Sequence, residues 1–300
     1  MVAWLGDHRA GLAIPAPSTA GDILKRHGMV RPRKRGRHTP PWTDPLSGCN
    51  APNETWSVDF KGWFRTGDRR RCDPLTVEDG YTRFLLGCDA FRHPGRLPTR
   101  KSLERLFREY GLPATIRTDN GPPFASVAVA GLSKLSVWWI KLGITPERIP
   151  PGRPDQNGRH ERMHRTLKEE TASPPKATLR AQQRAFDIFR REYNEERPHE
   201  ALGQKPPASL YQPSQRSYPR RIPEVSYPDD MQVRRVRSKG EIKWRGKRLF
   251  LSEALIGELV GIRREGERHH SVYFGPLKLC LIDDETNSII KNRPRERTHV

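Results

Sequence analysis

Long hydrophobic runs are missing from this 300-residue chain. Nothing approaches the roughly 18 consecutive apolar residues of a membrane-spanning helix, so no segment is expected to cross a bilayer in that form. Met1 to Arg9 holds an apolar stretch too short for a signal peptide, and Asp7 breaks it. Cysteine is scarce: Cys49, Cys72, Cys88 and Cys280 are scattered, with no Cys-x-x-Cys pair. That pattern argues against a disulfide scaffold or a cysteine-rich zinc module, and fits a reducing cytoplasm. Apolar residues reach only 34%, low for one tightly packed globule, and no internal repeat is present.

Positive charge is what the chain has in excess. Its 55 Lys and Arg outnumber 35 Asp and Glu, a formal net charge of +20. Such an imbalance points to a polyanion, because cations that neutralise phosphates release counterions whatever the base sequence. The length suits two compact units with a small third, and 28 prolines suggest linkers between them.

Residues 1–45 read as a partial helical module and a basic linker. Ser18 or Thr19 is expected to cap a short helix that Gly28 ends. The run Arg31-Pro32-Arg33-Lys34-Arg35-Gly36-Arg37 is either a solvated linker or an arm along DNA phosphates, with Arg33, Lys34 and Arg35 as candidate contacts. From residue 50 to 205 strands and helices mix. Strands are expected at 56–64, 75–78, 81–90, 114–118 and 145–149, and helices at 102–110, 132–142, 158–171 and 177–195. Trp138 and Trp139 on one helix read as core. The fold class is α/β. Residues 206–230, rich in Pro, Ser and Tyr, read as an extended linker. Short strands between turns over 231–290 suggest a small β-barrel, and 291–300 a disordered tail.

Three acids stand out by their setting. Asp59 interrupts an apolar strand, Asp119 ends another, and Glu161 opens a helix. A carboxylate in an apolar strand is costly unless compensated, and a divalent cation compensates it well. All-oxygen ligation suits Mg²⁺, or Mn²⁺, and two such ions can drive phosphodiester chemistry. Arg165 and Lys168 stand four and seven residues beyond Glu161, on its face of the helix, where they could meet phosphate.

These residues lie in ordered blocks: Trp56-Ser57-Val58-Asp59, Arg117-Thr118-Asp119-Asn120-Gly121, and Pro151-Gly152-Arg153-Pro154-Asp155-Gln156-Asn157-Gly158-Arg159-His160-Glu161. Together they resemble the signature blocks of retroviral-integrase-like DDE transposases, above all those of bacterial insertion sequences. Tyr193-Asn194-Glu195-Glu196-Arg197-Pro198-His199 extends the likeness. The resemblance implies an RNase H-like mixed-sheet catalytic core in which Asp59, Asp119 and Glu161 bind two ions per active site. It implies hydrolysis that frees 3′-hydroxyls at element ends, then their attack on target DNA. Double-stranded DNA, both terminal inverted repeats and target, is the implied partner, with a homodimer or higher oligomer in a nucleoid-associated complex. Asn120 and Asn157, inside these blocks, are further candidate DNA contacts. Asp119 and Glu161 are 42 positions apart, so a longer loop or helix than in retroviral integrases must intervene. Family members carry a helix-turn-helix before the core, of which only the second half is expected here. Beyond the core, Arg216 to Arg248 hold 11 Lys or Arg against four acids. Arg234, Arg235, Arg237, Lys243 and Arg245 are the expected backbone contacts in that stretch, positioning DNA without reading it.

His160-Glu161-Arg162-Met163-His164 also matches H-E-x-x-H, in which two histidines bind zinc and the glutamate serves as base. No third ligand stands out downstream, and the motif explains neither Asp59, Asp119 nor the charge. His160, His164 and His199 are expected as phosphate or packing contacts. Two other readings remain: a DNA-binding remnant without catalysis, and RNase H-type cleavage of hybrids, which leaves the C-terminal strands unexplained.

Overall fold

Apolar residues at every second position make strands in this chain, and at every third or fourth make helices. The computed structural model describes residues 2–9, 11–30, 49–126, 129–149 and 158–291. First come two short helices, α1 (Val2–His8) and α2 (Pro17–Arg26). Strands β1 (Thr55–Phe60), β2 (Phe64–Arg65), β3 (Arg71–Asp79) and β4 (Leu85–Phe91) follow. Then helix α3 (Arg96–Tyr110), strand β5 (Thr115–Thr118), helix α4 (Lys134–Lys141) and strand β6 (Thr145–Arg148) alternate, before helices α5 (Gly158–Thr171) and α6 (Leu179–Glu195). Seven short strands close the series: β7 (Gln232–Arg235), β8 (Glu241–Trp244), β9 (Lys247–Phe250), β10 (Leu259–Glu265), β11 (His269–Phe274), β12 (Leu277–Asp283) and β13 (Ser288–Lys291). The chain forms two compact units, Met1–Arg92 with Pro150–Pro213, and His93–Ile149 with Ser214–Val300.

In the first unit β3 is the central strand. It pairs antiparallel with β1, Asp59 opposite Thr76, and with β2 and β4. β3 begins four residues before its expected start, because Cys72 and Asp73 pair onward with β2 and β4. The β3–β4 turn is held by Asp79, whose carboxylate accepts from Thr82 N (2.8 Å) and Thr82 Oγ1 (2.7 Å). Helices α5 and α6 join this sheet in one apolar core of Cys72, Leu85, Cys88, Met163, Leu167, Phe186, Phe189 and Tyr193. Helix α2 starts at Pro17 with no side-chain cap, not at Ser18 or Thr19. Proline suits that first position, where a helix has no use for its missing N–H. Helix α1 carries too few residues for its periodicity to register in the sequence.

The second unit opens with α3, which starts six residues earlier than expected. Pro98 sits in its first turn, where proline is tolerated. Gly111 ends it at φ 78°, and a Cβ there would lie 2.5 Å from the Ser214 carbonyl oxygen, so glycine is required twice over. β5 and β6 pair in parallel, so the fold combines parallel and antiparallel pairing. α4 is capped by Ser133 and Ser136 reciprocally, and buries Trp138 and Trp139 as expected. Past residue 231 the expected barrel is an open sheet: β13-β12-β11-β10-β7, all antiparallel, with β8–β9 as a separate hairpin. No pairing among the described residues closes it, because β7 and β13 each have one neighbour. Its core, including Ile242, Trp244, Val260, Ile262, Val272 and Phe274, takes in Val137 and Ile140 of α4.

The stretch 206–230 is irregular as expected, yet firmly held. Arg216 donates to the carbonyls of Pro113 (2.8 Å), Leu142 (3.0 Å) and Gly143 (2.8 Å). Tyr218 lies against Phe107 and under Arg108, and Tyr227 Oη donates to the Leu259 carbonyl (2.9 Å).

Candidate active site

Asp59 is half-buried near the end of β1, and its backbone carbonyl accepts from Thr76 Oγ1 (3.2 Å). Lys61, two residues on, was not singled out in the sequence. Burial, reinforced by the Lys168 ammonium, lowers its pKa below the usual lysine value. Alternation along a strand, which sets Lys61 on the side of Asp59, was the available signal.

Asp119 follows β5 directly and is exposed. Its Oδ1 accepts from Gly121 N (3.2 Å), a local turn that aims the carboxylate back along its own loop. Asn120, expected at DNA, uses its amide to donate to the Ile149 carbonyl (2.7 Å), tying the ends of β5 and β6 together.

Glu161 lies in the first turn of α5 and is exposed, as are Arg165 and Lys168. The opposite side of α5 explains this orientation. His160, Met163, His164 and Leu167 recur at helical spacing and face inward, Leu167 fully buried. So a carboxylate and two cations share the outer face.

The two histidines flanking Glu161 meet one oxygen. His160 Nε2 and His164 Nε2 lie 2.6 and 2.7 Å from Thr76 Oγ1, with ring centroids 4.6 Å apart. Burial lowers the His160 pKa to about 3 and, helped by the neighbouring imidazole, that of His164 to about 2. His160 Nδ1 has no hydrogen-bond partner and faces Glu78 Oε2 at 3.9 Å. The H-E-x-x-H reading therefore fails on geometry: both Nε2 atoms are committed to a hydroxyl, while Glu161 points outward. His199 packs edge-on against Tyr193, as a packing contact should.

Among the described residues no three His, Cys, Asp or Glu side chains gather closely enough to hold a metal ion. Asp59 and Glu161 belong to the first unit and Asp119 to the second. As a donor set they still fit magnesium, being all oxygen and, at Asp119 and Glu161, open to the waters that ion retains.

The remaining candidates divide in three. Arg33, Lys34, Arg35 and Asn157 lie outside the described residues. Arg234, Arg235, Arg237, Lys243 and Arg245 are all exposed on β7, β8 and the turns beside them. Three of these are partly engaged: Arg234 with the Val233 carbonyl (2.9 Å) and Gln232 Oε1 (3.2 Å), Arg235 with the Gly257 carbonyl (2.7 Å) and Arg245 with Asp284 (2.9 Å). Arg216, inside the basic stretch, donates three hydrogen bonds within its own unit.

Integrase core domain models match residues 50–154 and 142–207, and the IS481 family transposase C-terminal domain matches residues 231–290. The insertion element IS407 uncharacterized 31.7 kDa protein of Burkholderia multivorans is 33% identical over 183 residues, 60% of this chain and 63% of that one. The insertion element IS476 uncharacterized 39.2 kDa protein of Xanthomonas euvesicatoria is 32% identical over 182 residues, 60% of this chain and 51% of that one. The chain thus spans between half and two thirds of these relatives' length. Among solved structures, the HTLV-2 integrase catalytic core domain in complex with magnesium is similar at TM-score 0.43 and 16% identity. That likeness covers 54% of this chain and 98% of that one. The chain thus carries integrase core domain matches from residue 50 to 207, followed by a region similar to the C-terminal domain of IS481 family transposases, and resembles proteins of bacterial insertion elements.

Proposed function

We propose that the chain is a DNA transposase that frees 3′-hydroxyls at the ends of an insertion element by hydrolysis and joins them to target DNA. One observation carries this reading: two overlapping integrase core matches together span residues 50 to 207 and take in Asp59, Asp119 and Glu161. These three carboxylates would hold two Mg²⁺ or Mn²⁺ ions. Bound there, the ions supply activation of water or a 3′-hydroxyl and stabilisation of the leaving oxygen. The chain's own residues do the rest. Arg165 and Lys168, exposed beside Glu161, bind and orient the phosphodiester. Arg234, Arg237 and Lys243 hold the duplex backbone further on, without base readout. Terminal inverted repeats and target DNA are the substrates. Because two ends must meet, a dimer or larger assembly is the working form, acting in the cytoplasm on nucleoid DNA.

The test is joining of a labelled 3′ end to a second duplex in the presence of Mg²⁺. Asp119→Asn abolishes joining while leaving duplex binding intact. If that variant joins ends as well as wild type, the carboxylate assignment is wrong. If wild type binds DNA and never joins it, the chain is a DNA-binding remnant.

A further inference from the structure

The histidines on either side of Glu161 serve neither zinc nor phosphate, yet both face inward from α5 onto one hydroxyl. His160 is 2% exposed. Both imidazoles reach Thr76 Oγ1, at 2.6 and 2.7 Å, and that hydroxyl donates to the Asp59 carbonyl at 3.2 Å. Counting protons assigns the roles. A carbonyl can only accept, so the single threonine hydrogen goes to Asp59. The two lone pairs that remain each accept one ring N–H, one from His160 and one from His164. One hydroxyl thereby serves β1 and two successive turns of α5.

We infer that Thr76, His160 and His164 are positioning residues, a clamp that fixes the rotation of α5 against β1 and so the placement of Glu161 relative to Asp59. Successive helix residues differ by about 100°, so a one-residue slip would carry Glu161 a quarter-turn or more around the axis. Apolar packing by Met163 and Leu167 resists such a slip weakly, since aliphatic side chains repack. A buried ring N–H that loses its acceptor resists it strongly. Packing alone requires neither hydroxyl nor imidazole at these positions. Valine opposite Asp59 would preserve the strand pairing, and leucines would fill the helix face. Hydrogen bonding to Thr76 and the short reach to the Asp59 backbone are what the observed residues add.

The inference rests on Asp59 and Glu161 being metal ligands, and the experiment separates the two claims. Thr76→Val keeps the shape of the side chain and removes the hydroxyl. It raises the Mg²⁺ concentration for half-maximal 3′-end joining on the order of tenfold, the usual scale for groups that orient ligands, and leaves DNA affinity unchanged. Thr76→Ser restores the wild-type requirement. A readout independent of joining is the imidazole ¹⁵N–¹H spectrum, where both Nε2–H signals exchange slowly in wild type and Thr76→Ser and rapidly in Thr76→Val. Should Thr76→Val fail to fold, His164→Gln, which keeps a donor, is compared with His164→Leu, which does not. A folded Thr76→Val or His164→Leu with the wild-type magnesium requirement overturns the clamp. Wild type that joins no DNA with any divalent ion refutes the proposed function and the clamp's purpose with it. That failure shows in the parent chain, the other only in its variants.

Discussion

Asn194 and Leu85 exchange two hydrogen bonds: Leu85 N donates to Asn194 Oδ1 (2.8 Å), and Asn194 Nδ2 donates to the Leu85 carbonyl (3.0 Å). An amide side chain thus does for β4 what a neighbouring strand would do. Gln183 repeats the arrangement, accepting from Ala90 N (2.7 Å) and donating to the Cys88 carbonyl (2.9 Å). Arg190 serves the Leu86 carbonyl between them (3.1 Å). Among the described residues β4 pairs with β3 alone, and an open strand edge invites other chains. Three side chains spaced seven and four residues apart on α6 close it.

Removing one of these amides is therefore expensive. Asn194→Ala leaves a buried N–H and a buried carbonyl unserved, a loss on the order of 2–4 kcal/mol in urea unfolding. Light scattering on the same variant should rise as the β4 edge opens. A loss below about 0.5 kcal/mol, ordinary for a surface substitution, would contradict the edge-closing role.

Acid should weaken the fold from an early point. Burial keeps His160 neutral when folded, with a pKa lowered from 6.5 to about 3, and His164 lowered to about 2. Unfolded, each takes up a proton near pH 6.5, so below that pH the unfolded chain binds more protons. Stability is full above pH 6.5 and falls as pH drops towards 3, at about 1.4 kcal/mol per unit for each histidine. Urea midpoints between pH 7.5 and 4.5 record the slope, and His164→Gln makes it shallower. A flat wild-type profile would mean that the imidazoles are not buried neutral.

The thiols should be silent. Burial, the largest cause at each, raises Cys72 and Cys280 to about 12, Cys49 to about 11, and Cys88 well above its ordinary value. Thiolate is the reactive form, so at pH 8 the native chain reacts slowly with a disulfide reagent. In urea all four free cysteines react at once. A rapid burst from the native chain would show a thiol that burial does not protect.

A fragment ending at Pro207 keeps the whole integrase core match but loses the C-terminal sheet. That sheet shares one apolar cluster with Val137 and Ile140 of α4. Stripped of it, these side chains face water, and the fragment should bind an apolar dye and aggregate where the full chain does neither. A monodisperse, dye-silent fragment would show that the cluster is dispensable.

Much of this was legible in the residues because the signals are local. Asp59 is conspicuous as an acid between Val58 and Phe60, and Glu161, Arg165 and Lys168 share a face by helical arithmetic alone. Short strands past residue 231 likewise show in local alternation, and the β8–β9 pair turns at Arg245 and Gly246, with φ of 42° and 83°. What stayed hidden depends on partners far apart in sequence. Thr76 meets His160 across 84 positions, and nothing in either neighbourhood announces the other. Barrel closure failed as an expectation for the same reason. Alternation marks each strand from β7 to β13 but says nothing of whether the first and last will pair. Arg216 looked like one more phosphate ligand because composition counts cations without seeing which carbonyls already hold them.

That last residue bears on reach. Arg216 gives three hydrogen bonds to the carbonyls of Pro113, Leu142 and Gly143, which fix its side chain in place. With Tyr218 and Tyr227 also engaged, the proline-rich stretch works as a splint rather than a tether. Lengthening it with glycine and serine would give the C-terminal sheet no new range until those rivets were cut.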